Sequence, residues 1–453
     1  MTPLNDRPLR PWQVLAVSLI LVASAHARVL LASATPAGIV KIPMHVRADT
    51  PRIELSPEGK LIVAATVSDQ PPEGALFRFS AQGKPDPSFG QEGRVLIRRD
   101  GAIPLHALVT QALTVQPDGE IVVAGEAYPD PASGADFVLM RFLPDGRLDT
   151  SLANRGWTTT RFGKSIDKAH GVAVQADAKT VVVGGSLQKS LLSGRYDFAI
   201  ARYLPDGRLD PQFGQGGKTI VRLGSASEDL ARAVQQDQAG RILIAGRANA
   251  QQASSAIGVV RLDARGRLDT TFGRGGKVLT VPGGESTADS LAIQPDQRIV
   301  VAGTLYQRDA GTLRGAGVVV RYTDAGTPDP SFGTAGIVRL PDVSELKVVK
   351  LQQDGKMLLL GTRETTRQAW AAMVVTRLHP DGSLDRSFGK GGMASVELQG
   401  HLTASGMTVS PRNDIYVAGI AGHRFQRPTE TLDNGLLLFK LDASGRIDQT
   451  FGH

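Results

Sequence analysis

The chain lacks cysteine altogether. Disulfides, thiolate metal sites and a lipidated N-terminal cysteine are thereby excluded, and the 453 residues must hold together by packing, which this length can supply. Patterns that mark other classes are also missing. No stretch carries a convincing helical period, no second long apolar run follows the one at the N-terminus, and neither Gly-x-Ser-x-Gly nor His-Glu-x-x-His occurs. The net charge of +7 is spread along the chain, and most regularly placed cations have an aspartate at a fixed offset. A nucleic-acid binder needs a basic stripe with aromatics between the charges, so no nucleic-acid partner is expected.

What the chain does have begins with a leader. Arg7 and Arg10 precede an apolar run from Trp12 to Ala25 that ends in Ala25-His26-Ala27, the make-up of a secretory signal peptide over residues 1–27. Ala32-Ser33-Ala34 is a second cleavage site of the same kind. The run is short for a membrane span. The mature chain is therefore expected to be exported, periplasmic or extracellular, monomeric and without a transmembrane segment.

From there on the sequence repeats. An aspartate returns at Asp86, Asp149, Asp210, Asp269, Asp329, Asp385 and Asp448, with steps of 63, 61, 59, 60, 56 and 63 residues. A cation stands eight residues before each (Arg78, Arg141, Arg202, Arg261, Arg321, Arg377, Lys440) and an apolar residue three after (Phe89, Leu152, Phe213, Phe272, Phe332, Phe388, Phe451). Self-similarity at a fixed period makes the array one unit, residues 28–453. Each period holds four short runs rich in β-branched residues, in the second copy Ala112–Gln116, Glu120–Gly125, Phe137–Phe142 and Gly156–Thr160. Pro-Asp-Gly turns join them as hairpins. Seven periods of four antiparallel strands predict an all-β, seven-bladed β-propeller. The last period stops at His453, one strand short, while Ala37–Pro43 resembles the fourth strand Ala335–Pro341. Residues 37–43 are therefore expected to close the ring as the outer strand of the last blade.

The motif Asp-x-x-Phe-Gly-x-x-Gly, preceded by Asp-Gly-x-Leu-Asp, resembles the delta-60 repeat family of bacterial β-propellers over residues 37–453. That resemblance implies an exported propeller with a binding role and no established reaction. The second copy departs from it, with Ser151–Gly156 in place of the Phe-Gly segment.

Seven equivalent Arg–Asp pairs predict a structural lock made once per blade, since catalysis needs a single constellation. The phenylalanines are expected to wedge between blades. With only three tryptophans the chain lacks the per-blade tryptophan of quinoprotein propellers. Strand alternation puts the repeated turns on one face and the variable loops on the other, and binding residues concentrate on loops borne by a rigid scaffold. The candidate ligand contacts are His106, His170, Tyr196, Arg308, Trp370 and His401; Asp167, Glu228, Asp229, Asp289, Glu345, Tyr128 and Tyr306 lie on the same loops. No catalytic residue is assigned and no cofactor is expected, although His106, His170 and His401 around the axis could hold a divalent metal at the channel mouth. The leading expectation is a non-enzymatic scaffold that binds an envelope or extracellular protein or glycan. The alternative is a propeller hydrolase or lyase with a metal at the central channel.

Overall fold

The second strand of each period has an apolar centre, and in Leu61–Val67 of the first and Thr180–Leu187 of the third both of its faces are buried. A strand with one wet face would alternate; these are covered on both sides. Leu61, Val63 and Ala65 pack in one cluster with Tyr416 and Leu438, whereas Ile62 and Ala64 pack in another with Val123 and Met140. Odd and even residues thus serve different neighbours. Among the described residues there are seven such clusters, one at each junction between successive periods.

The computed structural model describes residues 36–44, 51–67, 71–97, 103–130, 134–153, 155–163, 166–187, 196–224, 228–250, 253–309, 312–364, 371–398, 401–422 and 435–453. Residues 37–453 form one unit, a seven-bladed β-propeller of four-stranded antiparallel blades. The leader and Trp370 lie outside the described residues. The first strands of the blades are Arg52–Leu55, Ala107–Val115, Asp167–Val174, Leu230–Gln236, Glu285–Ile293, Glu345–Leu351 and His401–Val409, and they surround a central channel. Among the described residues no helix is long and apolar enough to cross a membrane.

Closure occurs where the strand count required it. Ile39–Pro43 pairs antiparallel with Gly435–Leu441 as the outer strand of blade 7, in the register Ile39↔Phe439 to Pro43↔Gly435. A second tie crosses the same junction: the Gly452 amide donates to the Gln82 carbonyl at 2.6 Å. Ring closure leaves no open blade edge there to recruit another chain.

The repeated cation and aspartate meet in all seven blades. Arg202 Nε donates to Asp210 Oδ2 at 3.0 Å, the corresponding contacts in blades 4, 5 and 6 are 2.8, 2.9 and 2.8 Å, and Lys440 Nζ lies 3.0 Å from Asp448. Arg78 and Arg141 reach Asp86 and Asp149 at 2.9 and 2.6 Å. The guanidinium does more than the spacing foretold. It lies over the blade's own phenylalanine, 4.5 Å from the Phe213 centroid for Arg202, and its Nη1 donates to the next blade, here to the Ala264 carbonyl at 2.6 Å. Phe213 in turn lies against Gly266 of that blade, where a Cβ would sit 2.7 Å from the ring. Leu152 takes this place in the divergent second copy, against Gly207. In blades 1 to 6 the cation of each lock therefore fastens two blades. In the hairpins between first and second strands, the third turn residue has positive φ in every blade, from 61° at Ala178 to 90° at Gly119, as these turns require.

Candidate functional site in the central channel

In blades 2 to 7 the first strand carries one residue too many. Pairing with the second strand skips a position between Thr110 and Ala112, Ala169 and Gly171, Ala231 and Ala233, Ala288 and Ser290, Leu346 and Val348, and Ala404 and Gly406. Each skip is a β-bulge, which re-aims a side chain and bends the strand. The six extra residues are Gln111, His170, Arg232, Asp289, Lys347 and Ser405, and the last five line the channel. Opposite every bulge stands a glycine of the second strand: Gly125, Gly184, Gly246, Gly303, Gly361 and Gly419. A Cβ on Gly184 would lie 1.8 Å from the Lys168 carbonyl oxygen, and on Gly303 1.8 Å from that of Thr287. The bulge brings the first strand too near for any side chain. Blade 1 has Ala65 at this place, and its described first strand pairs without a skip.

The channel encloses about 720 Å³, within the roughly 300–1,000 Å³ of ligand pockets. Its wall is uneven in charge. Arg232 Nε stands 3.7 Å from Asp289 Oδ1, too far for a hydrogen bond, and Lys347 Nζ 3.3 Å from Glu345 Oε2. A separate network joins blades 1, 6 and 7: Lys350 Nζ and Thr408 Oγ1 donate to the Glu54 carboxylate at 2.8 and 3.2 Å. Burial, and then the charges of Arg232, Arg52 and Lys168, hold the His170 imidazole well below its ordinary pKa, so it is neutral at physiological pH. Burial draws Lys347 down, but Asp289 and Glu345 outweigh it and hold the ammonium above its usual value. Tyr306 is raised by burial and by Glu345. His170 Nε2 and Arg232 Nε, on adjacent bulges, are buried and meet no hydrogen-bond partner. Chemically the wall offers donors on blades 3 and 4, the carboxylates Asp289 and Glu345 with Lys347 and Lys350 on blades 5 and 6, and Arg52 with Glu54 on blade 1.

The residues singled out from sequence are dispersed. His170 is in the channel, and Asp289 and Glu345 join it there. His106 lines a niche of about 20 Å³ with Pro72, Ile103 and Leu105, between blades 1 and 2, and its Nδ1 is buried without a partner. Tyr196 is half-buried near Glu126 and Glu228 and is raised by burial and then by those carboxylates; Tyr128 donates to Glu126 at 2.8 Å. Arg308 is exposed at the end of a long hairpin, paired in register with Leu313. His401 begins the first strand of blade 7, pairing with Gly422, and its side chain is outside the described residues. Among the described residues no three His, Asp or Glu side chains are placed to hold a metal ion. Asp167 and Asp229 are not rim groups. Both are fully buried and serve the backbone: Asp167 accepts from the Phe162 amide at 2.7 Å, Asp229 from Leu223 at 2.7 Å and Asn249 at 2.9 Å. Burial pushes both carboxyls up despite these bonds.

Arg232, Lys347, Gln111 and Ser405 were not among the sequence candidates. A signal for them exists in the glycine that recurs inside each second strand, since a glycine within a strand marks a bulge or a close backbone approach.

The six segments 57–89, 116–152, 175–213, 240–272, 294–332 and 352–388 match the model of the DUF5122 β-propeller family, a domain of unknown function. Each runs from the first hairpin turn of a blade to the apolar residue of its lock. No curated protein sequence matches the chain. Among solved structures it is similar to an ulvan lyase of polysaccharide lyase family PL25 bound to -[GlcA(1-4)Rha3S]-, at 9% identity over 88% of this chain and 95% of that one, with a TM-score of 0.49. The α-L-arabinanase of Penicillium chrysogenum, complexed with arabinobiose, is similar at 12% identity, 90% and 99% coverage and a TM-score of 0.44. A protein of unknown function from Dyadobacter fermentans gives 13%, 89% and 99%, and 0.40. Successive blades are matched over the same span of the repeat, each ending at its lock, so what the chain shares with that family is its β-propeller repeat.

Proposed function

We propose that this chain is an exported propeller of the delta-60 repeat type that works as a binding scaffold, receiving an envelope or extracellular protein or glycan at the mouth of its channel and on the variable loops around it. One observation supports this above others: a single backbone device, the bulge, is repeated in six blades and carries six different polar side chains. A purely structural device would be expected to carry like residues, as the lock does. The test is a thermal-shift screen of envelope glycans and proteins against the purified mature chain, followed by substitution of Arg232, Asp289 and Lys347 by alanine. Binding should weaken in these variants with the melting temperature kept. If binding is instead lost on changing the repeated turns in stable variants, the ligand sits on the other face and the reading fails. A hydrolase or lyase is the second reading, favoured by His170 and Lys347, whose titrations are displaced, lining one cavity with Asp289 and Glu345. Turnover of a bound ligand, abolished by Asp289→Asn, would decide for it.

A further inference from the structure

The bulges of blades 3 and 4 place two hydrogen-bonding nitrogens side by side in the channel wall with nothing to bond. His170 Nε2 and Arg232 Nε are buried and without partners. The two first strands run close here, since a Cβ on Gly171 would lie 2.9 Å from the Arg232 carbonyl. Asp289 does not meet the need of Arg232: it stands at 3.7 Å, and its Oδ2 already accepts from Thr287 Oγ1 at 3.2 Å. An unsatisfied buried donor costs free energy that a fitting acceptor would restore. Arg52 and Lys168 also face His170 electrostatically, so the acceptor that suits this sector is an anion. Asp289 beside Arg232 and Glu345 on blade 6, however, line the same cavity, and Lys347, the cation held by both, leaves that pair of carboxylates net negative. They would repel a second negative charge and accept from hydroxyls. A phosphate dianion meets that repulsion; a monoanion carrying hydroxyls does not.

We propose that the channel binds a polyhydroxylated carboxylic acid, such as a sugar acid or an acidic sugar at the end of a glycan. The carboxylate is received by His170 and Arg232, and the hydroxyls donate to Asp289 and Glu345. This rests on the reading that the ligand enters the channel mouth. Charge-assisted pairing fixes the orientation of the acid, and the opposed carboxylates select against more highly charged anions.

Isothermal titration of the full mature chain with D-galacturonate, D-gluconate, D-galactose and inorganic phosphate tests the proposal. The two acids should bind at least about tenfold more tightly than galactose or phosphate, and Arg232→Gln should weaken them by about ten- to a hundredfold, the value of a charge-assisted hydrogen bond. Arg232→Lys should recover part of the loss, and Arg208→Gln on the exposed turn should change nothing. Because the Arg232 side chain is 37% exposed, the glutamine variant should melt with the wild type. His170→Gln is the second variant should it not. Equal binding of galactose and galacturonate, both lost in Arg232→Gln, would overturn the acid preference while leaving the channel as a binding site. Acid binding indifferent to every channel variant would overturn both. No binding of either acid at millimolar concentration would overturn the acid proposal alone.

Discussion

Replacing Asp210 by alanine isolates what one lock is worth. Arg202 and Asp210 have side-chain exposures of 5% and 2%, and the carboxylate takes two contacts from the guanidinium, 3.0 Å from Nε and 2.9 Å from Nη2. Its other oxygen accepts from the Gln212 amide at 3.0 Å. Alanine leaves the guanidinium buried without its counter-charge, between Phe213 and the Ala264 carbonyl of the next blade. Breaking a buried pair from one side costs about 3–5 kcal/mol. The protein supplies its own control four residues away: Arg208 and Asp206 stand closer, at 2.7 Å, but in solvent, with exposures of 75% and 45%. Distance alone would rank the exposed pair higher, burial ranks it lower, and Asp206→Ala should leave the midpoint unchanged. The assay is equilibrium urea unfolding of the two variants, with Arg202→Met and the double variant Arg202→Met/Asp210→Ala to complete a cycle. Removing both charges should recover much of the loss. If Asp210→Ala unfolds at the wild-type midpoint, or if the double variant loses as much as the sum of the single ones, the lock is not held by the stranded-charge effect argued here.

The remaining expectations concern closure, bulges and acid. Deleting residues 28–43 removes the outer strand of blade 7 and should give concentration-dependent light scattering, whereas a monodisperse deletion variant would show that the edge is harmless. Gly184→Ala sets a Cβ 1.8 Å from a backbone oxygen and should cost about 3 kcal/mol or more by overpacking; Gly216→Ala, at φ 59° with open space around it, should cost about 1 kcal/mol from backbone strain alone. Comparable melting losses for the two would remove the reason given for the bulge glycines. Burial raises the lock aspartates, but hydroxyl and amide hydrogen bonds and the paired cation outweigh it and leave Asp86, Asp149, Asp269, Asp329 and Asp385 below the ordinary carboxylate range; at Asp448 the Thr450 hydroxyl leads in the same direction. A depressed folded-state pKa contributes stability in full above the unfolded value, about 3.9, and loses it as pH falls below. Asp167 and Asp229, raised by burial, act in the opposite sense and lose their contribution as pH rises. Glu120 is raised as well, but depressed carboxyls outnumber the raised ones, so urea midpoints should drop steeply below about pH 4, and Asp385→Asn should flatten that limb; a midpoint rising toward pH 3 would contradict the sign.

The sequence carries the architecture because the architecture is repetitive. One hairpin turn, one lock and one wedge recur at fixed offsets, so each misreading in one copy is corrected by six others, and even the closing strand could be found by matching Ala37–Pro43 to Ala335–Pro341. The lock's second half was not legible: nothing in the spacing of Arg202 and Asp210 says that the guanidinium also reaches Ala264 of the next blade. The channel was less legible still. His170 was visible as a histidine near an inner strand, but Arg232 and Lys347 look like solvated charges until the extra residue in each first strand is seen. That residue shows only in the pairing. Asp167 and Asp229 misled for the converse reason, since a carboxylate on a connecting loop is ordinarily wet, and here it turns inward to satisfy amides left over where the chain passes between blades.

The two kinds of repetition separate what the fold needs from what the channel does. Lock positions are bound on every side: the cation must reach its aspartate, cover a ring and donate to a carbonyl one blade on, so nearly every blade uses arginine and phenylalanine. Bulge positions are bound only through the backbone, where the glycine opposite removes the collision and fixes the path. In five of the six the side chain itself lines the channel, so its identity is free to be set by something other than folding. Arginine, aspartate, lysine and histidine at successive bulges are costly choices for a wall made of the innermost strand of each blade, because each charge or donor needs a partner and two nitrogens there have none. A wall under stability alone would be expected to fill such places with residues of the kind at Ser405 or Gln111. The polar sector of blades 3 to 6 is therefore where the fold gives up stability locally, and a ligand that completes those contacts should raise the melting temperature of the whole ring.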